Sequence, residues 1–267
     1  MDAPTNGLAT IKGGISMLSI DLNADAGESC THEQWLREQA VIPIVSSVNV
    51  ACGWHAGSAA LMMQTVQCAL RHRVAIGAHP GLPDEGGFGR RALAMSASEL
   101  YTAVLYQVGA LQAVVQAAGG TLRHVKPHGA LYHMAAEDAT IAVAVASAVA
   151  DVDRNLLLFA PSSSALAVAG HEKRLRVIGE AFADRTYEES GKLTSRNRAN
   201  AVITSQTEAV RQTLAIVCQQ KVQTTSGTIM PLSAQTVCVH GDNEHAGNLL
   251  RAVRTALEDV GVTIAAP

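Results

Sequence analysis

From Met17 onward, short apolar runs with a period of two alternate with longer segments whose apolar residues recur at helical spacing. The first run, 17–23 (MLSIDLN), puts Leu18, Ile20 and Leu22 on one side of a strand. Ser19, Asp21, Asn23 and, on extension, Asp25 fall on the other. Gly27 breaks this strand, and Thr31 caps a helix running to about Ile44. Residues 47–52 (SVNVAC) predict a second strand, with Val48 and Val50 opposite Asn49 and Ala51; GWHAG then leads through Ser58 into a helix. A third strand, VAIGAH, ends at His79 before the loop PGLPDEGGFGRR. Ser96, with Glu99 three residues on, is a capping box for a helix over 96–118.

The fourth strand, 122–128, is expected to hold Leu122, His124, Lys126 and His128 on one face. Gly129 then turns the chain into an alanine-rich helix ending near Asp151. Residues 156–161 and 176–182 predict strands five and six, and 205–220 is helical by pattern. Two short β-prone runs within 222–232 read as an inserted hairpin. The seventh strand, 236–242, sets Val237 and Val239 opposite Cys238 and His240, and an amphipathic helix over 244–260 follows.

Strands alternating with helices predict a parallel sheet with right-handed crossovers. Polar residues recurring on one strand face inside helical cover favour a closed barrel with a polar interior near one mouth. The expectation is an α/β fold, a single irregular (β/α)7 TIM-like barrel over 17–267. Residues 1–16 read as a disordered extension or a mis-assigned start.

Hydrophobic residues make up 48% of the chain and aromatics only 3%, so the core is expected to be small and aliphatic. A net charge of −3 with no basic run argues against nucleic-acid or anionic-membrane partners. Five cysteines without a CxxC pair read as reduced thiols. The longest apolar run, 141–150, is too short to span a bilayer, and the N-terminus lacks a charged n-region, so a cytoplasmic location is expected.

The chemistry-bearing residues gather near predicted strand ends, where barrel enzymes keep their active sites. Strand one supplies Asp21, Asn23, Asp25 and nearby Glu28; strand two supplies Asn49 and His55; strand three supplies His79. Strand four supplies His124, Lys126 and His128, strand six Glu180 with Asp184 and Arg185, and strand seven His240 and Asp242. Carboxylates among histidines suit acid–base work or a hydrolytic metal site, for which Asp25, His55 and His128 are of ligand type. There is no HExxH, P-loop or GxSxG motif; the glycine-rich GGFGRR loop offers Arg90 and Arg91 to an anion such as phosphate.

Six segments taken together, IDLNADAGE, VNVACGWHAG, AIGAHPGLPDEGGFGRR, RHVKPHGALYH, FADRTYEESGKL and VCVHGD, resemble the LamB/YcsF family in order and spacing. The resemblance implies a barrel of the glycoside hydrolase/deacetylase type. It also implies ATP-dependent opening of the 5-oxoproline (pyroglutamate) lactam to L-glutamate, with partner subunits B and C, ATP as co-substrate and Mg accompanying the nucleotide. On that reading Asp25 or Asp21 is the general base, and Lys126 and His128 stabilise developing charge. Asn23, Asn49, His55, His79, Glu180, Asp184, His240 and Asp242 contact substrate, and Arg185 grips its carboxylate bidentately. Two alternatives stay open: a stand-alone metal-dependent amidohydrolase or deacetylase, and a non-catalytic protein of the same complex that only binds substrate.

Overall fold

The structure is a computed structural model that describes residues 18–240 and 246–267. The expectations for residues 1–16 and for Asp242 lie outside the described residues. Strands β1 (Ser19–Ala26), β2 (Ser47–Ala51), β3 (Ala75–His79), β4 (Leu122–Val125), β5 (Leu157–Ala160) and β6 (Arg176–Phe182) pair in parallel in chain order. A hairpin, β7 (Lys221–Gln223) and β8 (Ile229–Pro231), follows as the sequence predicts. β9 (Thr236–Cys238) then pairs with both β6 and β1, closing a seven-stranded barrel. A short C-terminal strand not foreseen from the pattern, β10 (Thr263–Ile264), pairs with the start of β1. The Thr263 and Ala265 N–H groups donate to the carbonyls of Leu18 and Ile20, and the Ser46 N–H, just before β2, donates to that of Leu22.

The helices start where the sequence supplies caps. Thr31 and Gln34 form a capping box for α1 (His32–Val41), and Ser58 caps α2 (Ala59–His72). Ser96 and Glu99 do the same for α3 (Ala97–Ala117). The alanine-rich helix expected to reach Asp151 is two helices, α4 (Gly129–Glu137) and α5 (Ala139–Val152). Asp138 divides them: it has left the helical region and its carboxylate accepts the Thr140 and Ile141 N–H groups, which restarts the helix. α6 (Ala165–Glu172), α7 (Gln206–Gln219) and α8 (Ala246–Asp259) complete the ring. Outward strand residues such as Leu22, Val48, Val50, Ile76 and Val125 pack with helix residues Val66, Leu100, Val145 and Leu250 in one aliphatic core.

Register sets the interior. Asn23 pairs with Ser47, Asp25 with Asn49, Glu180 with Thr236, and Phe182 with Cys238, so these side chains share the inner face. Leu122 corrects the expected strand-four face. The β3–β4 register shifts between Ile76 and Gly77, so Leu122 pairs with Ile76 and joins the outer core, while His124 pairs with Gly77 inside. Gly77 has to lack a side chain, because a Cβ there would collide with the His124 imidazole. Leu157, Phe159 and Ile178 form a separate apolar cluster on the inner face.

Candidate active site

The interior polar residues stand at different heights along the strands. Asp21 is lowest, and its carboxylate accepts three hydroxyls: Ser46 at 2.6 Å, Ser47 at 2.7 Å and Thr236 at 2.5 Å. Burial pushes its pKa up against those hydrogen bonds. Asp21 is 1% exposed and is not among the residues that line the mouth cavity. Four residues of strand, about 13 Å at the usual rise, separate it from Asp25.

The middle level is an amide–imidazole relay. Asn23 donates to Thr236 at 2.6 Å and to Glu180 at 3.1 Å. Asn49 donates to the Asn23 side-chain oxygen at 2.8 Å and to Asp25 at 2.9 Å, and accepts from His124 Nε2 at 2.7 Å. His124 stacks on Phe159 with centroids 4.1 Å apart; burial, then the Lys126 charge, lowers its pKa to about 3, so the ring is neutral. Asn23 and Asn49 therefore brace the charged residues above them and are not among the residues that line the cavity.

The top level is charged. Lys126 Nζ lies 3.2 Å from Asp25 Oδ1, 3.0 Å from Glu180 Oε1 and 3.0 Å from the Cys238 sulfur. Burial alone would lower the Lys126 pKa, but Asp25, Cys238 and Glu180 together hold it well above normal. Burial would likewise raise Asp25, yet His79 and Lys126 hold it well below. Both are ionised at neutral pH, inside a barrel where an unpaired charge would be very costly.

Above them, His79 Nε2 is 3.3 Å from Asp25 Oδ2 and 3.0 Å from His128 Nδ1, and Glu28 Oε1 is 2.9 Å from His55 Nε2. Glu28, His55, His79 and His128 bring four ligand atoms within 4.8 Å of one another. This is the set able to hold a metal, in place of the Asp25, His55 and His128 trio that the sequence pointed to. Asp25 Oδ1 is committed to Lys126 and Asn49. Glu28 reaches the cluster because Gly27, at φ +76°, turns the chain at the end of β1.

The remaining expected residues divide. His240 lines the cavity while Asp184 holds its Nδ1 at 3.0 Å and its backbone N–H at 3.1 Å. The imidazole is thereby oriented with Nε2 as its other nitrogen. Arg90 lines the cavity, its guanidinium 5.0 Å from the Phe88 ring centre. Arg91 is bound to the Asp84 carboxylate and does not line it, so of the expected arginine pair Arg90 alone faces the cavity. Arg185 is 2% exposed, with Nε donating to the Ala201 carbonyl at 3.1 Å and Nη2 to that of Thr194 at 2.6 Å. That edge of the fork is used to fold the loop after β6, while Arg185 also lines the cavity.

The cavity holds about 510 Å³, within the usual range for small-molecule sites. It is lined by Asp25, His79, Lys126, His128 and His240, and also by Tyr132, Phe182 and Arg196, none of which the strand-end argument singled out. Tyr132 follows the strand-four motif by one helical turn, and Phe182 alternates with Ala181 and Ala183. Period-two reading reaches the second but not the first.

The closed parallel β/α barrel, with ionised residues converging at its carboxyl mouth, has the fold of deacetylase-type barrels. A peptidoglycan N-acetylglucosamine deacetylase domain from Eubacterium rectale shares this fold, with TM-score 0.52 and 10% identity over 96% of this chain and 90% of that one. More specifically, residues 20–267 match the LamB/YcsF family model, and the chain belongs to that family. It is 50% identical to the 5-oxoprolinase A subunit of Geobacillus thermodenitrificans, over 94% of this chain and 97% of that protein. It is 42% identical to the lactam utilization protein of Thermus thermophilus, with TM-score 0.87 over 94% of this chain and 100% of that one.

Proposed function

We propose that this chain is the A subunit of an ATP-dependent 5-oxoprolinase, working with subunits B and C to open the 5-oxoproline lactam to L-glutamate. The observation that carries the reading is half-identity to a 5-oxoprolinase A subunit over nearly the whole of both chains. The ionised Lys126–Asp25 pair facing a cavity of small-molecule size agrees with it.

A five-membered lactam is a stable amide, so phosphoryl transfer from ATP to the amide oxygen activates the ring carbon. Water then adds to that carbon, its proton passing to a base, and the C–N bond breaks with the nitrogen taking a proton. The product is an acyl phosphate, which a second water hydrolyses to glutamate and phosphate. Lys126 offsets charge on the phosphorylated oxygen. Asp25 is held ionised beside it and orients water, and His240, fixed by Asp184, moves protons through Nε2. Arg90 and Arg196, both on the cavity wall, supply positive charge for the substrate carboxylate. His79 and His128 also line the cavity.

The test is glutamate release from 5-oxoproline by this chain, alone and with subunits B and C, with and without ATP. Release only in the full mixture with ATP is the expected result. ATP-independent cleavage of an amide by the chain alone would replace this reading with a stand-alone amidohydrolase.

A further inference from the structure

His79 Nε2 and His128 Nδ1 face each other at 3.0 Å, and each ring has already committed its other nitrogen. His79 Nδ1 donates to the Lys126 carbonyl at 2.7 Å, and His128 Nε2 donates to the Phe88 carbonyl at 2.8 Å. Carbonyls only accept, so those two nitrogens carry ring protons, and in neutral rings the facing pair present lone pairs. Two lone pairs at that separation repel unless a positive charge stands between them. Backbone carbonyls fixing the far nitrogen are also how metal-bound histidines are held.

Glu28 Oε1 completes a triangle, 3.5 Å from His128 Nδ1 and 4.0 Å from His79 Nε2. Ligand atoms around a tetrahedral ion with bonds of roughly 2.0–2.1 Å lie about 3.3 Å apart, a value these three separations bracket. The His79 and His128 rings meet at 85°, so both lone pairs can aim at one point. His55 cannot join them in the same way: its ring lies parallel to that of His128, 3.7 Å away. Its Nε2 instead reaches Glu28 Oε1 at 2.9 Å. Glycines leave room for this stack. A Cβ at Gly81 would stand 2.5 Å from His55 Nδ1, and one at Gly89 would stand 2.8 Å from His128 Cδ2.

We propose that Glu28, His79 and His128 form a binding site for one divalent transition-metal ion of the zinc class, with His55 as the residue that positions Glu28. Two imidazoles and one carboxylate suit a borderline cation, whereas Mg²⁺ and Ca²⁺ prefer all-oxygen sites. Three protein ligands leave a position open on the side where His79 adjoins Asp25 and the cavity. The site is defined by geometry in this chain alone and does not depend on which substrate the cavity takes.

Untagged protein stripped with a chelator and titrated with Zn²⁺, and with Co²⁺ as a spectroscopic probe, tests this without substrate or partners. Expected are one saturable ion per chain, visible absorption of four- or five-coordinate cobalt, and a thermal midpoint that rises with Zn²⁺ concentration. Glu28→Gln and His128→Gln weaken binding by at least about 100-fold, and His55→Gln by about 10- to 100-fold, as loss of a supporting contact does. The absence of saturable binding by folded wild-type protein overturns the proposal. So does unchanged affinity in a folded His79→Gln/His128→Gln variant. Either result would leave a shared proton between the two rings and would leave the lactam-opening reading untouched.

Discussion

Asp21 and Asp25 lie on the same face of the same strand, four residues apart, yet the barrel treats them oppositely. Asp21 sits among three hydroxyls, and burial raises its pKa. Asp25 sits against Lys126 and His79, and these two partners overcome burial to keep it ionised. Height in the barrel, not residue type, decides whether a carboxylate is a structural tie or a charge available to a ligand. The same division separates the lower barrel, where Asp21 is tied to hydroxyls and Leu157, Phe159 and Ile178 cluster, from the mouth, where Asp25 and Glu180 share the Lys126 charge.

The largest effect should come from breaking the mouth. Lys126→Met strands two buried carboxylates and is expected to cost about 3–5 kcal/mol, read from urea unfolding. Adding Glu180→Gln should restore part of that stability without restoring turnover. Full recovery of turnover in the double variant would remove Lys126 from the chemistry. Phe159→Ala tests the lower barrel: a cost of about 3–5 kcal/mol from cavity formation is expected, with substrate affinity retained if the protein is assayed well below its melting temperature. Lost affinity in a folded Phe159→Ala protein would mean that lower barrel and mouth are not separate.

The two aspartates also predict opposite pH terms. Asp25, with its folded pKa depressed, stabilises fully above its unfolded value, and that contribution is lost as pH falls through the folded pKa. Asp21, with its folded pKa raised, binds more protons folded than unfolded, so stability falls as pH rises from 3.8 towards its folded value. Asp21→Asn should therefore flatten the stability profile in that window, and Asp25→Asn should remove the acid-side loss. Smallest is the arginine pair. Arg90→Ala should raise KM, whereas Arg91→Ala, which takes a mostly exposed guanidinium away from the buried Asp84 carboxylate, should leave KM alone.

Much of the interior is legible as simple alternation. Asp21, Asn23, Asp25, Asn49, His124 and Lys126 all point inward as period two requires, because each strand carries helices on its outer face. Height is not legible, since it depends on pairing with strands far away in sequence; Asp21 is low because it pairs with Thr236. The shift that turns Leu122 outward has no local signature either. Loop residues lack any period, so Arg90 and Arg91 look equivalent until Asp84 claims one of them. Arg185 looks like a substrate clamp and no more, yet its carbonyl partners, Thr194 and Ala201, also fold back onto it. Glu28 escapes emphasis because it lies beyond the strand, and only the left-handed turn at Gly27 sends it to the histidines.

The division between the two aspartates is tested most sharply by ATP-dependent glutamate release from 5-oxoproline by the complete complex, comparing Asp25→Asn with Asp21→Asn. Each variant is first shown to be folded and bound to its partners. Asp25→Asn is expected to lose about 10²- to 10⁴-fold in turnover while Asp21→Asn stays within about threefold of wild type. Near-wild-type turnover in Asp25→Asn, or an equal loss in both, would contradict the assignment of the chemistry to the mouth.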